Sequence, residues 1–73
     1  MKMNYEQLGE MVRQARKSSR LSQDDLAGRL DLSRNYVAMI ERGEANNLTL
    51  AVFLRLAQFL KTRPGALLTK VVE

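Results

Sequence analysis

The nine residues Arg34 to Arg42, RNYVAMIER, hold the side chains with the greatest chemical reach in this chain. At about 100° per residue, Val37 and Ile40, with Ser33 just before them, fall on one side of a helix. Arg34, Asn35, Ala38, Met39 and Arg42 fall on the other, and Tyr36 lies on the flank. The outward row begins with a guanidinium and an amide, continues through small and flexible apolar groups, and ends on a second guanidinium. A guanidinium makes forked bonds to two coplanar acceptors, as on guanine O6 and N7, and a carboxamide can pair with adenine N6 and N7. Backbone N–H groups at a helix start also favour phosphate. A plain solvated face carries mixed charges instead. The chemistry on offer is recognition.

Other chemistry has little material. The chain has no cysteine and no histidine, which excludes disulfides, thiolate or imidazole metal sites and nucleophile–histidine catalysis. Asp24 and Asp25 resemble paired carboxylates, but at a helix start they more simply serve the cap and the dipole. No catalytic role, cofactor or metal is expected. The net charge of +4, from 12 Lys+Arg against 8 Asp+Glu, is a weak sign of a polyanionic partner. Its placement says more. Arg13, Arg16, Lys17 and Arg20 recur at i, i+3, i+4, i+7, opposite the apolar stripe Leu8, Val12, Ala15. On an isolated helix such a stripe is simply a solvated face. No apolar run approaches the roughly 20 residues of a membrane span, and Met1 to Tyr5 hold no secretory apolar core, so a cytoplasmic location and no membrane contact are expected.

The elements that must position these side chains share one start grammar. Asn4, Ser22, Ser33 and Thr49 are capping residues, each preceded by an apolar residue (Met3, Leu21, Leu32, Leu48) and followed four positions later by another (Leu8, Leu26, Val37, Phe53). This pairing is the hydrophobic staple, which sets the angle of entry into a helix. Ser22 with Asp25, and Asn4 with Gln7, add capping-box-like partners. Arg63 before Pro64 disfavours helix, whereas Pro64 suits a first helical position. Five helices follow, at about 5–18, 23–30, 34–42, 50–60 and 64–70, in one all-α domain spanning 1–73. The second and third hinge at Asp31-Leu32, and the third stops at Gly43. Leu8, Val12, Ala15, Leu26, Ala27, Leu30, Val37, Ile40, Leu50, Phe53, Ala57 and Leu60 keep core spacing. Leu54, Phe59, Leu67, Leu68, Val71 and Val72 exceed what one small core needs and are expected to form a self-association surface.

The segments LSQDDLA and LSRNYVAMIERG resemble the Cro/repressor (xenobiotic-response-element type) helix-turn-helix family, closest in flavour to restriction–modification controller proteins and lambdoid phage repressors. The resemblance runs from Leu8 to Leu68. Ser22-Gln23, Leu26-Ala27 and Ile40-Glu41-Arg42-Gly43 match the family's marks. It implies a lambda-repressor-like fold whose second motif helix lies in the DNA major groove. It also implies base reading by Arg34 and Asn35, joined by Tyr36 and Met39. Phosphate contacts would come from Gln23, Ser33, Arg42, Asn46 and Asn47, and a structural salt bridge from Arg16 to Glu41. The chain departs from the family in two places. Asp31 replaces the usual turn glycine, and Asp tolerates left-handed geometry. The loop Glu44 to Leu50 is one residue longer and lacks the relatives' basic residue and proline. Met39 can touch a thymine methyl but offers no strong hydrogen bond, which moves specificity toward Arg34 and DNA shape.

The leading expectation is a homodimeric, sequence-specific transcription regulator on double-stranded DNA, encoded by a bacterium or phage and associated with the nucleoid. Two recognition helices about 34 Å apart would read a near-palindromic operator. The alternative is an antitoxin-type module of the same fold, which binds a toxin as well as its operator. RNA polymerase and a toxin are the further candidate partners.

Overall fold

Four of the five helices begin at a side chain that accepts a backbone N–H, which is why they start where they do. The computed structural model describes all 73 residues. Helix α1 (Tyr5–Ser18) starts where Asn4 Oδ1 accepts the Gln7 N–H at 2.9 Å. Helix α2 (Gln23–Leu30) starts on a reciprocal box: Asp25 N–H donates to Ser22 Oγ, and Ser22 N–H donates to Asp25 Oδ2, both at 3.0 Å. The Ser22 backbone N–H, helped by its hydroxyl, holds the Asp25 carboxyl below the ordinary carboxylate range. Helix α3 (Arg34–Glu41) starts on Ser33 and helix α4 (Leu50–Phe59) on Thr49, whose hydroxyls accept the N–H groups of Tyr36 and Val52. Helix α5 (Pro64–Val71) has no such bond; extended Arg63 feeds Pro64, whose missing N–H is no loss at a first helical position.

Asp31 closes the turn between α2 and α3. Its backbone is left-handed (φ 56°, ψ 46°), and the N–H groups of Asp31 and Leu32 return to Gly28 O and Ala27 O. A two-residue link then turns the chain into α3. Helix α1 lies against the end of α3 at Gly9, where a Cβ would stand 2.8 Å from the Glu41 carbonyl oxygen and closer still to that of Ile40. The absence of a side chain at Gly9 is what lets α1 approach α3.

The core is Leu8 and Val12 of α1, Leu26, Ala27 and Leu30 of α2, Val37 and Ile40 of α3, Val52, Leu56 and Ala57 of α4, Leu67 and Val71 of α5, and Ala45 from the connecting loop. Each fully buried leucine or valine contributes about 1.5–3 kcal/mol relative to exposure. The inward stripe of α4 corrects the spacing argument. Leu50 is 72% exposed, while Phe53, Leu60 and, on α1, Ala15 are only half-buried. The stripe turned because α5 supplies Leu67 and Val71 to the same core, and Val52 and Leu56 face them. Leu67 and Val71, expected at a self-association surface, are fully buried inside the protomer and are not available to a partner.

The two ends of the chain are paired. Met3 and Val72 form an antiparallel bridge, with Asn4 N–H donating to Val71 O at 2.6 Å and Glu73 N–H to Lys2 O at 2.8 Å. Val72, also expected at the surface, is half-buried and occupied in this bridge. No helix is long and apolar enough to cross a membrane.

Candidate nucleic-acid interface

Helix α3 is anchored from behind and open in front. Behind it, Val37 and Ile40 are buried, Tyr36 and Met39 pack against the core, and Glu41 joins it to α1. Arg16 Nε donates to Glu41 Oε2 at 2.6 Å and Arg16 Nη2 to Glu41 Oε1 at 3.1 Å, while Nη1 donates to Leu21 O at 2.9 Å. This fork on a carboxylate that is 4% exposed fixes the angle between α1 and α3 and ties both to the start of α2. The hydrogen bonding to Glu41 raises the Arg16 pKa above its already high value.

In front, Arg34 and Asn35 are exposed in the first turn of α3. Neither takes part in an ion pair, and the only side-chain bond is a weak one from Asn35 Nδ2 to the Met39 sulfur at 3.9 Å. Both side chains are therefore free to reach a ligand. Tyr36 and Met39 reach less far, because each is half-buried against the core; periodicity alone had put Met39 wholly on the outer face.

The residues expected to hold phosphate surround that row. The Ser33 hydroxyl accepts the Tyr36 N–H and keeps its own O–H as a donor. Gln23 Nε2 donates to Glu41 Oε1 at 3.2 Å, which pins the amide beside α3 and leaves its second N–H available. Arg42 is exposed just past the helix end, where its Nε donates to Glu44 Oε1 at 3.1 Å and its Nη2 lies in ion-pair contact with the same oxygen, also at 3.1 Å. Asn46 and Asn47 are exposed in the loop that follows. The Arg42–Glu44 pair escaped the sequence reading, although an arginine and a glutamate two apart at a helix end were signal enough.

The remaining expected surface lies on α4 and α5. Leu54 and Leu68 are 44% and 39% exposed, and Phe59 is half-buried. Leu50, assigned by its spacing to the core, adds to this patch. Met3, Tyr5, Leu48, Phe53 and Leu68 line an apolar hollow of about 250 Å³ with Leu50 on its rim. Helix α3 packs on α1 and α2, so the patch and the Arg34 row are separate surfaces.

The family model for the helix-turn-helix domain matches residues 7–70, nearly the whole chain. The chain belongs to the helix-turn-helix domain family. Control protein C.SmaI of Serratia marcescens is 42% identical over 63 residues, covering 86% of this chain and 74% of that protein. The restriction–modification controller protein C.AhdI of Aeromonas hydrophila superposes with a TM-score of 0.72 at 36% identity, covering 86% of this chain and 94% of that one. The Cro/repressor-type resemblance and the all-α five-helix fold stand on these matches.

A third likeness corrects one expectation. Hydroxypropylphosphonic acid epoxidase from S. wedmorenis contains the same fold, with a TM-score of 0.75 and 31% identity over 93% of this chain but only 36% of its own. The residue inventory argued that this chain is no enzyme. A domain of this fold nevertheless forms part of an enzyme chain, so the inventory of 73 residues does not exclude a link to catalysis, and fold does not decide function.

Proposed function

We propose that this protein is a sequence-specific DNA-binding regulator of transcription that acts as a homodimer on a near-palindromic operator. The observation that carries the reading is the pairing of a rigid back and a free front on α3. Arg34 and Asn35 are exposed and uncommitted at the groove-entering end, while Arg16–Glu41 holds the helix from behind. Rigid presentation lowers the entropy lost on binding. In this reading Arg34 and Asn35 read base edges, with Tyr36 and Met39 touching the groove wall. Gln23, Ser33, Arg42, Asn46 and Asn47 hold phosphates and set the register.

The second copy is proposed to sit on the α4–α5 patch. Leu50 and Leu68 project at the apolar hollow, Leu54 is exposed one turn further along α4, and a two-fold axis through them lets the knobs of each copy fill the hollow of the other. A domain this small gains from such burial, because its own core is limited. Leu54 and Leu68 remain from the expected surface, and Leu50 and Phe53 take the place of the buried Leu67 and Val71. Selection from a pool of random duplexes tests the whole reading. It is expected to enrich a site with two-fold symmetry and half-sites about one helical turn, 34 Å, apart. Enrichment of no sequence, or of a single asymmetric site bound by one protomer, would contradict it.

A further inference from the structure

Arg13 and Lys17 are exposed on α1 and take no part in the interface just described, yet the fold turns them toward it. They form one wall of an open cleft of about 340 Å³ where α1, α2 and α3 meet. Ala38 of α3 and Arg42 just past its end form the opposite wall, and Gln23 stands at the start of α2. Arg16 and Glu41 also face the cleft, but their charges cancel in the 2.6 Å pair. What remains is Arg13 and Lys17, a third cation, Arg42, whose partner Glu44 stands outside the lining, and a pinned amide. Arg13 has only a loose contact to Glu10 at 4.0 Å, Arg42 has exposed Glu44, and Lys17 has no ion pair. Neither Glu10 nor Glu44 lines the cleft. A concave site walled by like charges concentrates positive potential.

We propose that this cleft seats a DNA backbone phosphodiester, with Arg13 and Lys17 of α1 gripping it together with Arg42 and Gln23. The proposal rests on the reading of α3 as the groove helix. Ala38 links the two. Arg34, Ala38 and Arg42 stand at i, i+4 and i+8, so the cleft continues the stripe that starts at the base-reading end. Eight residues of helix span about 12 Å, and the major groove is about 12 Å wide. With Arg34 at a base edge, the Arg42 end of that stripe meets the groove wall, which is sugar-phosphate. Helix α1 thereby joins the footprint, and its basic stripe acquires a role beyond solvation.

The test is the salt dependence of binding to an operator duplex and to a scrambled duplex, measured for the full chain with Arg13→Gln, Lys17→Gln, both together, and Arg29→Gln. Arg29 is also an exposed cation, lies outside the cleft beside Arg55, and controls for net charge. Each α1 substitution is expected to shallow the log–log salt slope by about 0.9 on both duplexes, the pair by about twice that, and Arg29→Gln by none. Both α1 residues are exposed, so folding is expected to persist; Lys17→Gln alone carries the test if the double variant melts early. An unchanged slope in the α1 variants, or an equal drop in Arg29→Gln, overturns the seat while operator preference survives. A wild-type chain that binds neither duplex in a salt-dependent way overturns the seat together with the reading it rests on.

Discussion

Two carboxylates show how much work single side chains do in this domain. Glu41 is 4% exposed and accepts from both Arg16 and Gln23, so its removal strands a guanidinium that is itself only 13% exposed. Glu41→Ala is expected to lower unfolding free energy by about 3–5 kcal/mol in a urea titration, whereas replacing both partners by apolar residues of similar size should recover most of that loss. Asp25 acts through pH. Its folded pKa is depressed by the Ser22 hydrogen bonds, so its stabilisation is present above the unfolded carboxylate value, about 3.9, and disappears as pH falls through the lower folded value. Asp25→Asn should flatten that part of the acid limb, read as melting temperature against pH. At this scale the sequence was uneven. The caps at Ser22 and Ser33 could be read from their neighbours alone, and Arg16–Glu41 from a family likeness, but Gln23 on Glu41 and Glu44 on Arg42 needed the chain to be folded.

Among the helices, the decisive contacts are those where backbone meets backbone. Gly9→Ala would place a methyl against the Ile40 and Glu41 carbonyls, which cannot withdraw without moving α3. It is expected to destabilise the domain by about 1–3 kcal/mol, as overpacking does, and to weaken DNA binding beyond the loss of folded protein because α3 shifts. Asp31 bears the opposite strain. Its left-handed backbone suits glycine, so Asp31→Gly should raise stability by up to about 1 kcal/mol in thermal unfolding and leave binding intact. Helix starts were legible because caps and staples are local signals. The phase of α4 was not, because Leu50, Ala51, Val52, Phe53 and Leu54 make its whole first half apolar and the polar residues Arg55 and Gln58 come only after it. Only the position of α5 chooses among them.

At the level of the whole molecule, the proposed self-association and recognition surfaces lie on different faces, so each is expected to be removable alone. Leu68→Asp places a charge on the α4–α5 patch without entering the core, since Leu68 is 39% exposed. Sedimentation is expected to show a folded monomer, and operator affinity should collapse as the second half-site contact is lost. A stable micromolar dimer in this variant would move the interface elsewhere. The exposed apolar excess was visible in the sequence, but its division between core and surface was not, because Leu67 and Val71 differ from Leu68 only in which way α5 faces, and Val72 is taken up by the bridge to Met3. The central claim is that α3 reads sequence, and it is tested most directly by titrating Arg34→Ala and Arg42→Ala against operator and scrambled duplexes over a range of salt. Arg34→Ala is expected to cost about 1–3 kcal/mol on the operator, relax preference at one base pair per half-site, and spare the scrambled duplex. Arg42→Ala should weaken both duplexes alike and shallow the salt slope by about one. If Arg34→Ala weakens both duplexes equally, Arg34 is a phosphate clamp and the claim that it reads bases fails.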